Sequence, residues 1–290
     1  MSSSASTELE LRFLGPYDVR AALRLLEAHA IQGAEVVDVD SASYRRLFPS
    51  VGGPVAASMR FDSERMVATV EAGLETARTL VPAIRHLFDL DMDPAALGIR
   101  FAEDPRIGPL IAARPGLRVI GHPNGWEAAL TTVLGQQVSL AAARTFSGRL
   151  VARFGGEHGS GLRTFPPAAL VAELDHEELR AAIGITRSRA STLLHVARAF
   201  ADGLSISPAS DPTVARRLLL AIPGVGPWTA DYLAVRVLAD RDAFPSGDLV
   251  LRKALGNVDA KTAEALSEPW RPVRAYALLH LWTSVAPSLG

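Results

Sequence analysis

Cysteine is absent from the 290 residues. That excludes a disulfide framework, a thiolate zinc site, an iron–sulfur cluster and a cysteine nucleophile. Lysine is nearly absent: Lys253 and Lys261 are the only two among 30 basic residues, so almost all positive charge is guanidinium. Schiff-base chemistry therefore has two candidate amines, while planar forks suited to phosphate are plentiful. A general bias toward Arg and Ala accounts for the same usage.

Neither sign of charge prevails. Residues 1–120 carry 13 basic and 16 acidic groups and residues 121–290 carry 17 and 15, a swing too small to point to nucleic acid by itself. Long hydrophobic runs are also missing. The longest uncharged stretches, Ala128–Ala143 and Ala275–Gly290, have 16 residues each, short of the roughly 20 apolar residues that span a bilayer. The opening Met-Ser-Ser-Ser-Ala-Ser-Thr lacks the basic and apolar blocks of a signal peptide. The expectation is a soluble cytoplasmic protein with no membrane partner. A hydrophobic share of 48% with 21% charged residues excludes a disordered or fibrous chain, and the length allows two or three domains.

The first third reads as mixed α and β. Glu8–Gly15 and Val36–Tyr44 alternate like strands, and Val55–Phe61 and Met66–Val70 read as paired strands around Asp62–Glu64. Asp18–His29 and Thr76–Leu90 have helical spacing, with Asp91–Pro94 as the breaker. Beyond it the strands stop. Helical periods cover Trp126–Val133, a helix capped by Ser139 and running through Phe154, and then Pro167–Leu174, Glu177–Ile183, Ser188–Asp202, Pro212–Ile222, Trp228–Ala239, Asp248–Leu255, Ala260–Ser267 and Val273–Ser284. The expected fold is an α+β N-terminal domain with an antiparallel sheet, followed by an all-α body. We expect the first domain over 1–98, one helical subdomain over 99–122 and 241–290, and another over 123–240. No repeat period or low-complexity tract stands out beyond the first seven residues.

The most informative stretch runs from Leu218 through Pro223-Gly224-Val225-Gly226-Pro227-Trp228-Thr229 to Arg236. It reads as a helix, a tight hairpin and a second helix. Gly224 and Gly226 let the backbone turn and leave N–H groups facing outward at a helix N-terminus, where a phosphate binds without side-chain charge. Thr229 adds a hydroxyl in the first turn, and the carbonyls of Leu220, Ile222 and Val225 offer a place for a monovalent cation. An ordinary helix–helix turn uses the same Pro-Gly-x-Gly residues.

This stretch resembles the helix–hairpin–helix of DNA glycosylases. In that superfamily an essential aspartate follows the second helix and a Gly/Pro-rich loop, and Asp248 in Phe244-Pro-Ser-Gly-Asp248-Leu-Val-Leu holds that position. It also reads as the N-cap of the next helix, a place that favours negative charge. Strand-cutting members carry a lysine two residues past the second hairpin glycine; here that residue is Trp228, which supplies a stacking face and no amine.

Two further segments resemble the DNA-3-methyladenine glycosylase II family: Ala112–Arg118 with Trp126–Ser139, and Pro269–Trp282. The resemblance covers nearly the whole chain. It implies a monofunctional hydrolase of base excision repair that flips alkylated purines such as 3-methyladenine or 7-methylguanine out of double-stranded DNA. Asp248 would be catalytic, and Trp228, Tyr232 and Trp282 would line the base pocket. Gln136 and Gln137 would sit in the loop that enters the duplex, with Gln137 where better-known members have an apolar wedge. Thr283 stands where an aromatic can occur. His280 reads as packing and Arg274 as structural or a carboxylate partner. The implied protein is a monomer of bacterial, nucleoid-associated type that needs no organic cofactor. The alternatives are a shifted range, including deaminated purines such as hypoxanthine, and a non-catalytic DNA clamp that would need neither Asp248 nor the aromatics. A further possibility is that the chain is one part of a longer methyl-transfer fusion.

Overall fold

The computed structural model describes residues 5–62 and 64–285. Residues 1–4 of the low-complexity start, Ser63 in the Asp62–Glu64 turn, and residues 286–290 of the last expected subdomain lie outside them. Five strands, β1 (Thr7–Arg12), β2 (Glu35–Asp38), β3 (Ser43–Phe48), β4 (Val55–Phe61) and β5 (Arg65–Val70), form an antiparallel sheet in the order β1-β5-β4-β3-β2. Alternation places Met66, Ala68 and Val70 of β5 beside Met59 and Phe61 of β4 on one face. Two helices, α1 (Val19–His29) and α2 (Leu74–Phe88), cover that face through Leu23, Leu26, Leu80, Ile84 and Phe88.

The expected strand Val36–Tyr44 is instead two strands joined by a turn. The Asp38 carboxylate accepts from the N–H groups of Asp40 and Ser41, both at 3.0 Å, and Ala42 takes a left-handed φ of 51°. This local side-chain bonding competes with extension and reverses the chain. Two short helices were not foreseen: α3 (Pro94–Phe101) and α4 (Gly108–Ala113). The breaker at Asp91–Pro94 doubles as a start signal, because Asp93 caps α3 through the N–H groups of Ala95 and Ala96 and Pro94 occupies the first turn.

The rest is helical: α5 (Gly125–Gly135), α6 (Leu140–Phe154), α7 (Ala168–Ala172), α8 (His176–Ile183), α9 (Arg187–Ala201), α10 (Pro212–Leu220), α11 (Pro227–Arg236), α12 (Leu249–Ala254), α13 (Ala260–Ser267) and α14 (Arg274–Val285). Ser139 caps α6 as expected. One continuous core joins Phe101 and Ile111 to Leu130, Leu193, Leu233, Leu251 and Leu278. Among the described residues no helix is long and apolar enough to cross a membrane.

Buried charge fastens the sheet to the helices. Arg46 of β3, 2% exposed, pairs with Glu127 of α5 and lies 3.4 Å from Glu35 of β2. Asp89, which ends α2, pairs with Arg241 at 2.5 Å. Burial pushes the Glu127 carboxyl up to about 7 against the pull of Arg46. Breaking such a pair from one side costs about 3–5 kcal/mol, since a charge is left buried and uncompensated. Arg46→Met should therefore lower the thermal midpoint by roughly 6–15 °C at pH 8.5. The folded state holds the Glu127 proton more tightly than the unfolded state does, so the penalty should shrink at pH 6, where protonation removes the stranded charge. A penalty equal at both pH values would contradict this account.

Candidate active site

Helix α10 ends at Leu220 with Ala221 as its C-cap, and the N–H of Val225 donates to the Ile222 carbonyl at 3.0 Å, closing the hairpin. Gly224 has φ +90°, and a Cβ there would lie 2.0 Å from Thr192 Oγ1 of α9, so glycine is required on both counts. Gly226 differs: its φ is −98° and a Cβ would meet open space, so the fold itself makes no demand for glycine there. Pro227 begins α11 without an N–H. The N–H groups of Gly224, Gly226, Trp228 and Thr229 have no hydrogen-bond partner among the described residues. They form the outward-facing donor set expected of an anion site.

Two expected DNA-binding side chains turn inward. Thr229 is 3% exposed, and its hydroxyl accepts from Gln136 Nε2 at 3.0 Å. The same Gln136 amide donates to the Gly224 carbonyl at 3.2 Å, and Arg189 Nη2 donates to the Gln136 carbonyl at 2.5 Å. Gln136 and Thr229 therefore brace the loop against the hairpin, and of Thr229 only the backbone N–H faces out. Gln137, next in the chain, is exposed and left-handed with φ 53°, free to reach a duplex.

Asp248 caps α12: its Oδ1 accepts from the Leu251 N–H at 2.8 Å. The remaining contacts come from two expected pocket aromatics. Trp282 Nε1 donates to Oδ1 and Trp228 Nε1 to Oδ2, each at 2.9 Å. Tyr232 stacks on Trp228 with centroids 5.3 Å apart and rings 16° from parallel, and lies 6.2 Å from the Trp282 ring. All four residues line a cavity of about 360 Å³, within the range of small-molecule sites.

The cavity runs on to the N-terminal domain, where His29, Tyr44 and Arg46 line it together with His122 and Arg236. That far wall was not foreseen, because its residues come from four separated segments with no shared motif. Thr283 lines the cavity with its hydroxyl turned back to the Leu279 and His280 carbonyls, both at 3.1 Å. Burial holds the His280 imidazole down, at about 4. Arg274 is fully engaged with Asp242, Glu264 and Ser267. Lys253 and Lys261 are exposed and outside the cavity. Among the described residues no cluster of His, Asp or Glu has a metal-binding arrangement. At the hairpin, the Leu220 and Val225 carbonyls accept no hydrogen bond from the described residues, and the Ile222 carbonyl accepts one from them.

Comparison with known proteins agrees with this geometry. The AlkA N-terminal domain family matches residues 8–124, and the HhH-GPD superfamily base excision DNA repair protein family matches residues 130–272. The chain is 35% identical over 295 residues to the "Probable bifunctional transcriptional activator/DNA repair enzyme AlkA" of Mycobacterium tuberculosis, covering 98% of this chain but 58% of that longer protein. It is 33% identical over 280 residues to DNA-3-methyladenine glycosylase 2 of Escherichia coli, covering 94% of this chain and 95% of that one. A 3-methyladenine DNA-glycosylase from Archaeoglobus fulgidus shares the fold with a TM-score of 0.84 at 19% identity, over 96% of this chain and 98% of that one. Sequence identity, both family matches and the site's geometry converge: this chain belongs to the DNA-3-methyladenine glycosylase 2 family of helix–hairpin–helix base excision repair proteins.

Proposed function

We infer that this chain is a monofunctional DNA glycosylase that releases alkylated purines from double-stranded DNA and leaves an abasic site. The observation that carries this reading is Asp248, held by two indole N–H groups in the wall of an aromatic cavity. A phosphate clamp alone has no use for such a carboxylate.

The duplex would dock on the hairpin donors, and Gln137 would fill the gap left when the damaged nucleotide rotates into the cavity. Unstacking costs a few kcal/mol and least for damaged bases, so flipping already selects. The Leu220, Ile222 and Val225 carbonyls, with unspent lone pairs, fit a monovalent cation that would add positive charge beside the phosphate. Inside, the faces of Trp228, Tyr232 and Trp282 favour a cationic alkylpurine by roughly 0.5–2 kcal/mol per good contact. Positive charge on the base weakens its glycosidic bond, so little general-acid help is needed. Asp248, which accepts hydrogen bonds and donates none, stabilises the oxocarbenium-like sugar and orients the attacking water. Hairpin, wedge loop and carboxylate all come from one chain, in keeping with a monomer.

Duplexes carrying one 7-methylguanine or 3-methyladenine should release free base, and strands should break only after alkali. Borohydride added during turnover should trap no covalent adduct, since Trp228 stands in the lysine position. A trapped adduct lost in Lys253→Ala or Lys261→Ala would overturn the monofunctional reading.

The hairpin gives a second test. Gly226→Val adds bulk where a phosphate would approach, in a conformation any residue adopts, so the melting temperature should hold. Affinity should fall by about tenfold, some 1.4 kcal/mol, for lesion and undamaged duplexes alike. A loss confined to lesion DNA would place the hairpin in base recognition instead.

A further inference from the structure

Helix α5 ends at Gly135 and α6 begins at Leu140, and the short loop between them is tied down on both flanks. On one side Gln136 is held by three bonds: its amide donates to the Gly224 carbonyl and the Thr229 hydroxyl, and its carbonyl accepts from Arg189. On the other, Ser139 caps α6 through the Ala142 N–H at 3.2 Å. Gly135 and Val138 line the cavity that holds Asp248. Gln137 lies between them in the chain and is exposed, so it stands where the cavity wall meets solvent.

The backbone of Gln137 is left-handed, with φ 53°. Glycine adopts that conformation freely and other residues at a cost, so the side chain is kept at a strained position. The fold makes no evident use of it, because its amide takes no part in the brace that holds Gln136. A strained backbone presenting an unspent polar group to solvent points to a partner outside the chain.

Resting on the glycosylase reading above, we propose that Gln137 is a specificity-determining residue that hydrogen-bonds the pairing edge of the base left behind in the opposite strand. Filling the gap needs only bulk, and an apolar wedge supplies it without desolvating an amide. The orphaned base, however, has lost its partner. Thymine is left with an imide N–H between two carbonyls, and cytosine with an amino group beside a bare ring nitrogen. Enclosed by an apolar wedge, those groups stay unpaired, which is costly. A glutamine amide carries one acceptor and one two-hydrogen donor, and so matches an adjacent donor and acceptor on either pyrimidine. Turning the amide over exchanges its two ends, so one residue serves opposite damaged adenine and damaged guanine alike. The cavity then answers to the flipped base and the loop to its former partner.

The test uses two duplexes carrying a stable tetrahydrofuran abasic analogue, one opposite thymine and one opposite difluorotoluene, which has the shape of thymine without its pairing groups. Affinities would be measured for the wild type, Gln137→Met and Gln137→Glu. Differences between the duplexes themselves act on all three proteins and cancel in the comparison. The wild type should prefer thymine over the isostere about tenfold more than the Met variant does, since Met keeps the length and loses both bonds. The Glu variant, which accepts but cannot donate, should also lose most of the preference, and it carries the test if the Met variant melts early. The same preference in all three proteins, or an equal loss on both duplexes, would make Gln137 a filler and overturn the proposal. Release of 3-methyladenine by the wild type from a thymine-paired duplex checks the glycosylase reading separately. Its absence would refute that reading, and this proposal with it; release with an unchanged preference overturns the proposal alone.

Discussion

The site depends on how the Asp248 carboxylate is held. Three N–H donors converge on its two oxygens: the Leu251 amide at the start of α12, the indole of Trp228 on α11 and the indole of Trp282 on α14. Each donor comes from a different helix, so the carboxylate is fixed only when all three helices are packed. Charge-assisted bonds of this kind contribute about 1.5–3 kcal/mol each. They also set ring orientation: an indole whose N–H is bound cannot rotate freely, and its face is held toward the cavity. The Asp248 carboxylate and the aromatic surface of the cavity are thereby one hydrogen-bonded unit.

The surrounding architecture supports that unit from two sides. On the hairpin side, Gln136 joins the Gln137 loop to the hairpin through the Gly224 carbonyl and the Thr229 hydroxyl. The group that would enter the duplex and the donors that would grip its backbone are therefore fixed in mutual register. On the far side, the Arg46–Glu127 and Asp89–Arg241 pairs anchor the sheet domain against the helices. That contact closes the cavity: His29, Tyr44 and Arg46 come from the first 46 residues, so the N-terminal domain supplies a wall of the site as well as a scaffold.

Much of this was legible in the sequence where one local rule acted alone. Asp248 is legible as the N-cap of α12, and Ser139 as the cap of α6, because capping chemistry is local. Reading failed where a side chain had two possible partners. Thr229 reads as a phosphate ligand because its position in the first turn is visible, whereas the Gln136 amide that claims it lies 93 residues away in the chain. Trp228 and Trp282 read as stacking faces, and their N–H groups on Asp248 emerge only when α11, α12 and α14 meet. Val36–Tyr44 has the alternation of a single strand, yet the Asp38 carboxylate turns it. The far wall carries no signal at all, since His29, Tyr44, Arg46, His122 and Arg236 come from four separated segments.

The central claim, that a carboxylate accepting from two indoles performs the chemistry, is tested most directly at Asp248 itself. Asp248→Asn keeps the shape but replaces one acceptor oxygen by an N–H₂ that cannot receive an indole proton, and it removes the negative charge opposite the sugar. Single-turnover release of 7-methylguanine at saturating enzyme should fall by at least about a thousandfold, some 4 kcal/mol. Binding to the same duplex should stay within about tenfold. Release at near the wild-type rate by the folded Asn variant would contradict the account.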